Sequence, residues 1–171
     1  MILRCSVLTI SDSTHAGIRQ DASGPAVAAR LLQAGHAIIL QAVLPDEREQ
    51  IAAKLKELAG AEDCDAIFST GGTGLSARDV TPEATRSVVE REIPGFGELM
   101  RAEGLKTTRR AALSRSTAGT LLSTVIVNLP GSPKGAVESL NAILDLVPHV
   151  VELLHGRTEH SLERCPAAKP K

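Results

Sequence analysis

The feature that most limits how this chain can fold is a glycine turn set between an apolar run and a helix start. Residues 65–85 read D-A-I-F-S-T-G-G-T-G-L-S-A-R-D-V-T-P-E-A-T. Ala66, Ile67 and Phe68 are the short apolar stretch of a buried strand, and Gly71, Gly72, Thr73 and Gly74 turn the chain. Thr81-Pro82 is expected to restart it as a helix, with Thr81 as N-cap and the proline where it gives up no hydrogen bond. Strand, glycine turn and helix start together present backbone N–H groups to an anion. The same pattern also serves as a plain tight connection, and the turn alone does not decide between the two. It is neither a Walker A loop nor a G-x-G-x-x-G turn.

The rest of the chain alternates strand and helix patterns. Residues 4–10 and 37–44 read as strands, each followed by a helix whose apolar positions recur at helical spacing: Val27 and Leu31 in one, Ile51, Leu55 and Leu58 in the other. Asp46, with Glu49 three residues on, reads as a capping-box start for the second of these. A helix from Thr81 is expected to run to about Glu92, and another to cover 98–106, while 111–120 is small, polar and unassigned. Residues 124–129 are near-continuously apolar, as in a strand covered on both faces. After Pro130-Gly131-Ser132, Ser132-Pro133 repeats the cap-plus-proline pattern and opens a long helix that Pro148 kinks or ends. This order predicts an α/β fold: a three-layer sandwich with a mostly parallel central sheet. Residues 1–156 are expected to form one domain and 157–171 a mobile tail. In such sheets ligands sit beyond the strand C-termini. Asp12, Asp46, the glycine turn and the 130–132 turn would gather there, the footprint of a phosphate site with a divalent cation.

Composition removes several classes. A formal net charge of -1 and two aromatic residues, Phe68 and Phe96, leave no basic footprint and no base-stacking platform, so nucleic acid is not expected as a partner. No apolar run reaches the ~20 residues of a membrane helix, and the start lacks signal-peptide grammar, so a cytoplasmic protein is expected. Three cysteines far apart, Cys5, Cys64 and Cys165, support neither a disulfide framework nor a structural zinc site. His155, His160 and Cys165 match no standard metal-ligand spacing.

T-G-G-T-G-x-x-x-R-D-V-T-P-E-A-T, followed by E-x-P-G-F from Glu92, L-S-R-S-x-A-G from Leu113 and N-L-P-G-S-P from Asn128, resembles the Mog/MoaB family of molybdenum cofactor biosynthesis. L-T-I-S-D near the start and L-P-D-E before the second helix pattern match as well, and the resemblance covers residues 3–156. It implies a molybdopterin adenylyltransferase: AMP passes from ATP, with Mg²⁺, to the terminal phosphate of molybdopterin, and pyrophosphate leaves. It also implies a homotrimer or hexamer, and a downstream molybdenum-insertion protein as a possible recipient of the product.

By the same resemblance Asp46 and Asp79 are the catalytic pair and the Mg²⁺ ligands. Gly71, Gly72, Thr73, Gly74, Pro130, Gly131 and Ser132 would bind nucleotide or phosphate. Asp12, Ser114, Ser116, Arg78, Arg115 and Lys134 would be pterin or pocket residues. Arg78 and Arg115 would pair with phosphates or else face water. Ser132 stands where plant relatives tend to carry Asn; both cap helices and hydrogen-bond ligands. A chain of this fold could instead be a pterin carrier without catalysis, or a nucleotide-binding regulatory module of the kind fused into larger proteins. Retention of both aspartates and the absence of room for further domains favour the enzyme.

Overall fold

The computed structural model describes residues 1–156; the expected tail, with His160 and Cys165, lies outside the described residues. The strands are β1 (Arg4–Ile10), β2 (Ala37–Leu44), β3 (Ala66–Thr70), β4 (Arg91–Glu92), β5 (Ala118–Leu121) and β6 (Thr124–Leu129). The helices are α1 (Asp12–His15), α2 (Ser23–Gln33), α3 (Arg48–Ala59), α4 (Thr81–Arg86), α5 (Pro94–Leu105), α6 (Pro133–Asn141) and α7 (Val147–Leu154).

Strand alternation builds the layers. Val7, Phe68 and Val127 point into one core, with Val27, Leu31, Phe96, Leu140 and Val147. Their neighbours Leu8, Ile67 and Ile126 point into the other, with Ile51, Leu55 and Val88. A strand has period two, so a strand apolar at successive positions must be covered on both faces. The sheet runs β2-β1-β3-β6-β5-β4. The first four strands are parallel, and β5 and β4 are antiparallel additions. The three-layer, mostly parallel expectation holds.

The crossover from β2 to β3 passes β1, which places a topological switch point at the C-terminal ends of β1 and β3. The glycine turn leaves β3 at that crevice.

Several boundaries differ from expectation. The helix after the glycine loop stops at Arg86, and Arg91–Glu92 pair instead with β5, itself drawn from the segment left unassigned. Cross-strand hydrogen bonds from partners distant in sequence override local helical spacing there. α5 begins at Pro94. α6 ends at Asn141, and Pro148 lies in the first turn of α7, so it opens a helix instead of ending one.

Candidate functional site

Two cavities open at the C-terminal end of the parallel strands, one on each side of Gly131 and Ser132, which line both. One, of about 400 Å³, is lined by Thr9 and Ile10 at the end of β1 and by Asp46 and Asp79. The other, of about 340 Å³, is lined by Thr73, Gly74, Arg101, Arg110, Ser114 and Pro130 among others.

The glycine turn brings these walls together. Gly71 N–H donates to Leu129 O at 3.2 Å, which fastens the turn to the end of β6. Among the described residues the N–H groups of Gly72, Thr73 and Gly74 make no hydrogen bond, so they remain available to an anion. Glycine is needed here for approach as well as for the turn. A methyl on Gly72 would overlap Thr81 Oγ1 and lie 3.0 Å from Asp46 Oδ1, and one on Gly74 would lie 2.8 Å from Asp79 Oδ2. Both carboxylates therefore close directly onto the loop.

The expected caps need correction. α4 starts at Thr81 with Val80 as N-cap, and the Thr81 hydroxyl donates to Gly71 O at 2.9 Å. The side chain closes the base of the loop because that carbonyl is buried and needs a donor. α3 starts at Arg48 with Glu47 as N-cap, so Asp46 does not cap α3. Its Oδ2 accepts from Asp12 N–H at 2.9 Å while Asp46 N–H donates to Asp12 Oδ1 at 3.0 Å. This reciprocal clasp joins the start of α1 to the loop after β2, and among the described residues it leaves Asp46 Oδ1 free. Ser132 does cap α6, accepting from Gly135 N–H at 3.2 Å.

The charges divide into neutralised and unneutralised carboxylates. Arg78 donates to both oxygens of Asp12 at 3.0 Å and to Glu47 Oε1 at 2.8 Å. The hydrogen bonds from Arg78, and then the one from Asp46 N–H, hold the Asp12 carboxyl below its ordinary value. Arg78 is thus spent on protein carboxylates, and Asp12 lines neither cavity. Asp46 behaves oppositely. Burial, first, and the nearby charges of Asp12 and Asp79 push its carboxyl up. Neither Asp46 nor Asp79 has an ion-pair partner among the described residues. Asp79 Oδ2 accepts from Ser76 N–H at 2.7 Å, which sets the carboxylate against its own loop.

Arg115 is engaged by protein acceptors. Its Nε donates to Gly74 O at 2.6 Å, its Nη2 to Asp79 O at 2.5 Å, and its Nη1 to Glu83. Ser114 lines the second cavity and donates to the buried Ser116, 2.9 Å away. Lys134 is largely exposed, 3.8 Å from Glu138, and lines neither cavity.

Sequence reasoning missed four residues at these cavities. Asp21 accepts from Thr9 Oγ1 at 2.7 Å and from Gly24 N–H at 3.0 Å, anchoring the start of α2 beside Asp46 and Asp79. An aspartate three residues before Gly24 is an available cap signal. Arg19, Arg101 and Arg110 carry no such signal, because only the tertiary fold turns them toward the cavities.

No thiol nucleophile is offered by the described cysteines. Burial, first, pushes the Cys5 thiol up to about 12, and burial also raises Cys64. Both are buried, and neither lines the two cavities.

Open cavities around a glycine turn at a switch point, with two aspartates outside any ion pair, define the ligand-binding end of a mostly parallel α/β protein. Residues 6–149 match the family described as "Probable molybdopterin binding domain". The chain is 39% identical over 156 residues to the molybdopterin adenylyltransferase of Helicobacter pylori strain 26695, covering 90% of this chain and 89% of that one. It is 36% identical over 184 residues to the molybdopterin adenylyltransferase of Escherichia coli K12, covering 99% and 94%. The crystal structure of the molybdopterin biosynthesis enzyme MoaB of Thermus thermophilus superimposes with a TM-score of 0.85 at 46% identity, covering 91% of this chain and 98% of that one. The chain belongs to the Mog/MoaB family.

Proposed function

We propose that this chain is a molybdopterin adenylyltransferase acting in molybdenum cofactor biosynthesis. The observation that carries the reading is the placement of Asp46 and Asp79, without counter-ions, against a glycine loop with free N–H groups. Its relatives named for this activity match nearly end to end.

The reaction needs no nucleophile from the protein. An oxygen of the molybdopterin phosphate attacks the α-phosphorus of ATP, a new P–O bond forms, and the α–β bridging bond breaks. Its electron pair leaves with pyrophosphate. The protein's task is to align three groups and to offset negative charge. Gly72, Thr73 and Gly74 offer backbone donors to phosphate oxygens, and Gly131 and Ser132, shared by both cavities, form the wall where two phosphates would meet.

Asp46 and Asp79 would hold Mg²⁺. Their donor set fits: both carboxylates line the same cavity, and Mg²⁺ is commonly held by one or two carboxylates plus water and substrate phosphates. The ion would supply Lewis-acid charge neutralisation at the phosphates. Asp46 offers the free Oδ1, in the cavity it shares with Asp79.

Residues 1–156 act as one working domain in this reading, assembled as a homotrimer or hexamer in the cytoplasm, and the product passes to a molybdenum-insertion protein. No helix among the described residues is long and apolar enough to cross a membrane. The test is turnover: purified protein with molybdopterin, ATP and Mg²⁺, separated by chromatography. Adenylylated molybdopterin and pyrophosphate are expected in equal amounts. Pterin binding without product would leave a carrier in place of the enzyme.

A further inference from the structure

Asp79 sits at the end of a loop, residues 74–79, whose exposed middle is tied to the rest of the site through the Arg78 side chain, which pairs with Asp12 and Glu47. Leu75, Ser76, Ala77 and Arg78 are all exposed. Inside the loop, Asp79 N–H donates to Ser76 O at 3.0 Å and Ser76 N–H to Asp79 Oδ2 at 2.7 Å. Those two bonds fix the carboxylate relative to the loop but not the loop relative to the site.

Arg78 ties the middle of the loop through exposed ion pairs, and the guanidinium of Arg115 holds its two ends. Nε reaches the carbonyl of Gly74 and Nη2 that of Asp79, so one rigid planar group spans both ends of the loop. Nη1 pairs with Glu83 in the first turn of α4, and Arg115 N–H donates to Thr73 O at 3.1 Å. The acid is in turn pinned: Glu83 is held below its ordinary value although burial, the largest influence, opposes this, because the Arg115 hydrogen bond and backbone contacts outweigh it. The Arg115 and Glu83 side chains are 28% and 38% exposed, so these bonds are only partly shielded from water. Arg101, on α5, donates to Ser116 O at 3.2 Å and braces the segment that carries Arg115.

We infer that Arg115, with Glu83 as its anchor, is the positioning residue for Asp79, fixing both ends of the 74–79 loop so that the carboxylate faces the acidic cavity. This rests on the adenylyl-transfer reading. The role needs the fork of arginine; a lysine ammonium is a single centre and cannot reach three acceptors so disposed. Loss of such positioning acts on the rate, since a displacement of about 1 Å at a reacting group costs on the order of 100-fold.

The test uses the full chain with Arg115→Met, Asp79→Asn and the double variant, read by steady-state turnover and by amide hydrogen exchange of the 72–80 segment. Arg115→Met is expected to lower kcat by about 100-fold with KM for ATP and pterin little changed. It should also speed exchange in 72–80. In the Asp79→Asn background the same substitution should cost no more than about twofold further, the error of additivity, because the group being positioned is already gone. A raised KM with kcat unchanged would overturn the inference in favour of a substrate ligand, and multiplying losses in the double variant would overturn it as well. Should Arg115→Met fail to fold, Arg115→Lys takes its place, with the same loss expected and wild-type kcat overturning the role. If the wild-type protein makes no adenylylated product, the adenylyl-transfer reading fails separately. Exchange then decides alone, and an unchanged 72–80 segment in the variant would sink the clamp.

Discussion

Gly71→Ala isolates the local strain on which the site is built. Gly71 has φ +102°, a backbone conformation that side chains rarely adopt, and a Cβ there would overlap the carbonyl oxygen of Ile10. Ile10 cannot withdraw, because β1 is an interior strand paired on both sides. A residue forced into such a sparsely populated region costs about 1–3 kcal/mol, and an extra methyl against a fixed wall costs about 1–3 kcal/mol more. Gly71→Ala is therefore expected to lose roughly 2–6 kcal/mol in urea denaturation, read from the midpoint and slope by linear extrapolation. Gly95→Ala is the control. Gly95 lies in the first turn of α5 with nothing within 4 Å of a Cβ. There the substitution should be neutral or stabilise by up to about 1 kcal/mol, because it restricts only the unfolded chain. A loss below about 1 kcal/mol for Gly71→Ala, or equal losses for the two, would refute the argument that close approach of β1 sets this turn.

Further outcomes follow from the same contacts. Asp46→Asn should abolish turnover yet melt no lower than wild type at pH 7: a carboxyl raised in the folded state favours folding when protonated, and that advantage is lost as pH rises through its folded value. A clearly lower melting temperature would contradict it. Asp65→Ala should melt below wild type at neutral pH, and the gap should close in acid. The hydrogen bonds from Arg4 hold Asp65 below its ordinary value, a contribution present above the unfolded value and lost as pH falls through the folded one. Phe68→Ala, fully buried on β3, should cost about 3–5 kcal/mol in the same urea assay. Lys134→Ala, which loses only an exposed pair, should leave stability within about 0.5 kcal/mol.

Much of the fold was legible because its evidence is local. The apolar runs of β1, β3 and β6 alternate between two cores, and a chain that does so must place its sheet in the middle. β4 and β5 were not legible. Arg91 and Glu92 are both exposed, and they form a strand only because Thr120 and Gly119 lie opposite. The glycine turn and the two aspartates were readable by motif, but the duties of neighbouring polar groups were not. Arg78 and Arg115 both look like phosphate ligands in a string of letters, yet each is taken by protein acceptors that lie up to 66 residues away. Thr81 and Asp46 carry strong cap signatures, and in both cases a buried carbonyl or an N–H from a distant helix start claimed the side chain instead. Hydrogen-bond demand inside a folded site outranks a cap worth about 1 kcal/mol.

The central claim is that the chain transfers AMP directly, with no protein nucleophile. The most direct measurement follows phosphorus from ATP labelled at the α or the γ position, with molybdopterin and Mg²⁺, in wild type and Asp79→Ala. The α label is expected in adenylylated molybdopterin, the γ label only in pyrophosphate, neither on the protein, and neither transferred at an appreciable rate by Asp79→Ala. Label held covalently by the protein, γ label in the pterin, or undiminished transfer by Asp79→Ala would contradict it.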